Sequence, residues 1–297
     1  MVVAWWVGTA LAAAPEGVDI EAVEVWQGRA ADLRKGPKAC WRLSGKAETH
    51  VAVFRPPTVF GRASQTDYVF EGTFSGTFED GNWTAFTADM KPTSKAAQNS
   101  EEEDVGIDWD VPVRPLVGRA PEDASSQRRR GDDTSQDDEA ASASGTREAI
   151  TMLDTILDAV DADVTTTYAQ WSDEPPGVEL FEEYPIKDGS GRKTVDLRTF
   201  FPNGDAVPAS LDVTFPKRHR IKASPVRITL LRPQLHIRTQ NIDGEAVPIY
   251  ESVSLAGGAL GFTVGFEQVL QYERATACEA PAPEVESESD TPSQPEP

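Results

Sequence analysis

The clearest signal along the chain is alternation. Leu260, Phe262, Val264, Phe266, Leu270 and Tyr272 share one parity, and Thr263, Glu267, Gln271 and Glu273 share the other. A period of two puts the first set on the dry face of an extended strand and the second on the wet face. Residues 249–255 read as the strand before it. Gly257-Gly258 is the expected turn between them, because both central residues of a primed hairpin turn need positive φ. The same period runs through 68–78, where Tyr68, Phe70, Gly72, Phe74, Gly76 and Phe78 alternate with polar residues, and Asp80-Gly81-Asn82 turns this run into 83–90. Further extended runs are predicted over 40–46, 51–54, 164–171, 178–186, 193–201, 209–215 and 225–240. The turn signals between them are Asp188-Gly189-Ser190-Gly191, Asn203-Gly204-Asp205 and Asn241-Ile242-Asp243-Gly244. Turns this short join antiparallel strands, since parallel pairs need long crossovers.

Two stretches switch to the helical period. Ile20, Val23, Trp26, Ala30 and Leu33 form a stripe over 19–35, with Asp19 as the expected N-cap. Arg34-Lys35 before Gly36-Pro37 is the stop. Ile150, Leu153, Ile156, Leu157, Val160 and Val164 form a second stripe over 147–161. The expected fold is α+β: a curved, mostly antiparallel, half-barrel-like sheet packed on two helices. Residues 14–278 make one domain, interrupted at about 94–146 by a long acidic insertion. There Glu101-Glu102-Glu103-Asp104, Asp132-Asp133 and Asp137-Asp138-Glu139 sit among Ser, Ala, Gln and Gly, so the insertion is expected to be disordered. Within it only 106–117, with Ile107, Trp109, Val111, Val113 and Leu116, has the apolar content to dock on anything. Residues 279–297 hold six acids, five prolines and no base, and read as a disordered acidic tail.

Charge and cysteines then narrow the class. Acidic residues outnumber basic ones 49 to 28, for a net charge of −21. That balance argues against nucleic acid as a partner. Residues 1–13 are apolar or small apart from the terminus, with Ala10-Leu11-Ala12 as a small-x-small cleavage signal. The expectation is a signal peptide, a periplasmic or secreted protein, and no transmembrane span once the leader is removed; a buried N-terminal strand is the alternative. Export makes a Cys40–Cys278 disulfide reasonable, tying the two ends of the β region; two separate buried thiols are the alternative.

Candidate chemistry is sparse. His50, His219 and His236 stand far apart, outside any metal-ligand or nucleophile motif, and no cofactor is implied. Asp158, Asp161 and Asp163 are hard-oxygen donors, better explained as the wet side of a helix end. One stretch reverses the charge of the chain. Lys217, Arg218, Arg220, Lys222, Arg227, Arg232 and Arg238 lie in a run without a single acid. Such a run either meets an anionic partner or complements the protein's own acidic insertion.

A helix, a sheet segment opening with Trp41-Arg42-Leu43-Ser44-Gly45-Lys46, a second helix and a long β-meander resembles the LolA/LolB-like lipoprotein-carrier fold. The Trp-x-x-x-Gly-Lys start is LolB-like, and Asp243-Gly244-Glu245-Ala246-Val247-Pro248 before the final hairpin is similar to the late strands of that superfamily. The insertion, the acidic tail and the lack of a lipid-anchor Cys depart from it. The resemblance implies a non-enzymatic exported protein that binds a lipid or other amphiphile in the concavity of its sheet, with an amphiphile or an envelope component as partner. Phe70, Phe74, Phe262, Val264 and Phe266 are the candidate cavity lining. The alternative is a structural or surface-interaction protein in which the same residues fill a solid core.

Overall fold

A computed structural model describes residues 16–55, 63–96, 113–118, 166–188, 191–215, 218–223, 226–259 and 262–278. They form one helix, α1 (Val23–Lys35), and eleven strands: β1 (Trp41–Arg55), β2 (Ser64–Glu79), β3 (Asn82–Pro92), β4 (Thr166–Asp173), β5 (Pro176–Asp188), β6 (Gly191–Pro202), β7 (Ser210–Thr214), β8 (Arg218–Ala223), β9 (Val226–Ile242), β10 (Glu245–Ala259) and β11 (Phe262–Ala277). The strands make a single open antiparallel sheet in the order β3-β2-β1-β11-β10-β9-β7-β6-β5-β4, and β8 continues the line of β7 along β9. The expected α+β fold on two helices is therefore corrected: the described chain is almost entirely β, with one helix. The second helix, over 147–161, lies outside the described residues, as do residues 1–15, most of the acidic insertion, Lys217 and the 279–297 tail.

The strand pattern held where it rested on alternation and moved where it rested on glycine. β2 keeps Phe70, Phe74 and Phe78 buried on one face. Asp80 (φ 46°) and Gly81 (φ 78°) form the predicted turn, as do Asn203-Gly204 and Asp243-Gly244, all with positive φ. Gly257 and Gly258 do not turn. They lie inside β10, opposite Val264 and Thr263 of β11, so the β10–β11 hairpin closes three residues later than expected. The expected strands 40–46 and 51–54 are one strand, β1, bulged at Ser44/Gly45. A separate β8 within the basic run was not anticipated.

α1 begins at Val23, four residues later than its stripe suggests. Asp19 does not cap it; its carboxylate accepts the Glu21 N–H at 3.0 Å within a preceding turn. Trp26, Ala30 and Leu33 are the buried stripe. Gly36 ends the helix at φ 82°, where an added Cβ would lie 2.5 Å from the Phe78 ring.

This helix reveals the curvature of the sheet. Its Gln27 donates to Thr167 of β4 at 2.8 Å and its Trp26 packs on Phe201 of β6, while Gly36 at its end meets Phe78 of β2. Flat, β2 and β5 would stand seven strand spacings apart, about 34 Å. Yet Arg34, two residues before Gly36, reaches Glu182 of β5 at 3.2 Å. The sheet must curl to bring both ends onto a helix only ~20 Å long. Residues of β1, β2, β3, β5, β6, β7, β9, β10 and β11 share one core with Leu33, Leu116 and Val117. Trp26 and Ala30 pack a satellite cluster with Val178, Leu180 and Phe201.

The ends of the fold meet as anticipated. β1 pairs with β11 along its whole length. Beyond them Cys40 and Cys278 lie at bonding distance, S–S 1.99 Å and Cα–Cα 5.3 Å, and the Cys278 N–H donates to the Cys40 carbonyl at 2.9 Å.

Candidate functional site

The concave face has a closed half and an open end. In the closed half, residues 113–118, from the only part of the acidic insertion with enough apolar character to dock, lie across the sheet as a strap. Leu116 and Val117 are buried in the core. The strap is held by its main chain. The carboxylate of Glu251 on β10 accepts the N–H groups of Leu116 at 2.5 Å and Val117 at 3.4 Å. Gln268 on β11 clamps Arg114 at both backbone groups, accepting from its N–H at 3.1 Å and donating to its carbonyl at 2.6 Å. The indole N–H of Trp83 on β3 donates to the Val117 carbonyl at 2.9 Å. Period-two alternation explains why two polar residues lie on the dry face: the backbone of an irregular strap must find partners inside, and these side chains supply them.

Glu251 is the most perturbed acid here. Burial pushes its carboxyl up to about 7, against the lowering effect of the Leu116 N–H, the Tyr272 hydroxyl and the Val117 N–H. Tyr272 donates to Glu251 at 2.9 Å, and burial together with that carboxylate raises the Tyr272 pKa well above its usual value. A second polar group fastens the helix. Glu182 on β5, its side chain almost wholly buried, pairs with Arg34 and accepts the Tyr184 hydroxyl at 3.2 Å; burial pushes Tyr184 up to about 12. Glu245 receives the Ala39 N–H and the Trp41 indole, fixing the start of β1.

The candidate lining residues divide between the two regions. Phe70 and Phe74 belong to the closed half; Phe74 packs edge-on against Tyr272 and stacks on Phe86. Phe266 is partly buried against the core, and Val264 is 40% exposed. The side chain of Phe262 is outside the described set. Register explains the gradient. Val51, Phe266 and Leu255 face each other across β1, β11 and β10, and Val53, Val264 and Gly257 form the next row toward the open end. A hollow of about 450 Å³ does exist, but on the wet face over the β1 bulge. Its walls mix hydroxyls and charges, from Ser44, Thr73, Ser75, Thr87, Asp89, Glu273 and Arg274, with the apolar Gly45, Phe74 and Ala88.

The basic run becomes the β8–β9 hairpin. Arg218, Arg220 and Lys222 occupy alternate positions of β8, at register positions opposite Leu231, Thr229 and Arg227 of β9. Arg232 lies at the β9 irregularity and Arg238 is exposed farther along the same strand.

One constellation was invisible in the sequence. Asp212, His236 and Ser252 stand directly opposite one another on β7, β9 and β10, and Asp212 hydrogen-bonds Nδ1 of His236. The order matches a hydrolytic triad, but the serine makes no hydrogen bond to the imidazole. The three lie on the paired strands β7, β9 and β10. What the arrangement shows is a cross-strand hydrogen bond between Asp212 and His236. Among the described residues no group of three His, Cys, Asp or Glu side chains could hold a metal ion, and no helix is long and apolar enough to cross a membrane. No known protein-family model matches the chain, and no curated protein is similar to it.

Proposed function

We propose that this is an exported, non-enzymatic protein that receives a lipid or other amphiphile at the open end of its concave face. The observation that carries the reading is the gradient along β11: Leu270 and Gln268 are buried, Phe266 is partly buried and Val264 is 40% exposed, all on one face of one strand. An apolar floor continuous with the core and opening to solvent suits an acyl chain with its headgroup outside. The disulfide fits an oxidising compartment outside the cytosol. Displacement of a fluorescent fatty acid tests the reading. Full-length protein is expected to bind the probe, and Val264→Glu to lose that binding with its melting temperature unchanged. Equal binding by both proteins, or none by either, refutes it.

The second reading, a structural or surface-interaction protein with a solid core, is favoured by Phe70 and Phe74, each only 3% exposed. Failure of the probe to bind selects it.

A further inference from the structure

Among the described residues, the large apolar side chains that the fold leaves exposed are not scattered. Of Val25, Phe54, Tyr168, Leu231 and Val264, three lie at one end of the sheet, the end away from the disulfide. Inter-strand register places them beside the basic hairpin. One row of directly opposed residues runs Phe54, Thr263, Gly258, Thr229, Arg220 across β1, β11, β10, β9 and β8. The adjacent row on the same face runs Ala52, Gly265, Ala256, Leu231, Arg218. Val264 stands between these rows in sequence, on the opposite face. This end of the sheet is therefore apolar or small across three central strands, apolar on both faces, and flanked by cations on β8.

The register also sets like charges at opposed positions. Lys222 is directly opposite Arg227, a like-charge pair that destabilises a hairpin unless an anion lies against it. Asp67, the acid in the Leu231 row, is on β2, five strand spacings or about 24 Å from β8. At physiological salt the screening length is about 8 Å.

We propose that this end of the sheet docks on a bilayer surface of anionic lipids, with Arg218, Arg220, Lys222 and Arg227 against headgroup phosphates and Phe54, Leu231 and Val264 entering the interface. A soluble acidic peptide would satisfy the cations but would leave the three apolar residues in water. A membrane interface satisfies both. The proposal concerns the protein–bilayer contact and does not require that a single amphiphile enter the concavity.

Co-sedimentation of the full-length protein with vesicles tests it. Binding is expected to vesicles of phosphatidylcholine with phosphatidylglycerol and not to phosphatidylcholine alone, weakening as salt is raised. Each surface cation contributes about fivefold in partitioning, so Arg220→Glu with Lys222→Glu should weaken binding by at least ~25-fold. Phe54→Ser with Val264→Ser should weaken it roughly tenfold without altering its salt dependence. If the charge-reversed protein misfolds, salt titration of the unaltered protein supplies the same electrostatic readout. No binding to anionic vesicles overturns the proposal, as does binding insensitive to salt and to both pairs of substitutions. Binding to polyglutamate in preference to vesicles also overturns it, in favour of an acidic protein partner. Loss of fatty-acid binding with vesicle binding intact would strike only the concave-face reading.

Discussion

Replacing Glu251 by glutamine should stabilise this protein above neutral pH and change little in acid. Inside the fold the carboxyl has its pKa raised from 4.5 to about 7, chiefly by burial. A raised carboxyl means that the folded state favours the protonated form. As pH rises from about 4.5 to about 7, the unfolded chain gives up this proton while the folded protein keeps it, so this group's contribution falls across that window and then levels off. At 1.36 kcal/mol per pH unit, the ionised carboxylate costs about 3 kcal/mol at pH 8. Glutamine matches the protonated acid in shape. Its oxygen can accept the Leu116 N–H and its NH₂ can face the Tyr272 oxygen, so the strap keeps its main anchor. The assay is urea denaturation of both proteins at pH 5 and pH 8. Glu251→Gln should gain up to about 3 kcal/mol at pH 8, or roughly 6–12 °C in melting temperature, and about nothing at pH 5. A loss of stability equal at both pH values would refute the reasoning. It would mean that the carboxylate's three hydrogen bonds outweigh the cost of burying its charge.

Two further outcomes follow from the packing. Leu116→Ala should cost about 2–4 kcal/mol in denaturant unfolding, because the strap fills core space. Deleting 119–144 while sparing 113–118 should leave the midpoint nearly unchanged; parity between Leu116→Ala and the unaltered protein would show that the strap is not part of the core. Reducing Cys40–Cys278, which closes a loop with a sequence separation of 238, should lower stability by about 5 kcal/mol in the chain-entropy account. Denaturation with and without reductant measures it, and coincident curves would count against that account.

Much of the sheet was decided locally. Side-chain parity along β2 and β11 follows from the pleat, and the Asp-Gly and Asn-Gly turns follow from positive φ, so both could be read from neighbouring residues. The disulfide was legible because only two cysteines bracket the β region. Composition misled at Gly257-Gly258, because a glycine pair permits a turn without requiring one, and continued pairing with β11 was available. At 113–118 apolar content marked a segment able to dock, but its partners Glu251 and Gln268, on strands more than 130 residues away, were beyond any local pattern. The open end of the concavity was equally out of reach. Val264 and Phe266 have the same alternation as Leu270, and only the placement of α1 and the strap over one half of the curled sheet makes one buried and the other wet. The gathering of Phe54, Leu231 and Val264 beside the basic hairpin depends on inter-strand register over long sequence separations. That register is set by which apolar faces the curled sheet must bury together, and no local pattern contains it.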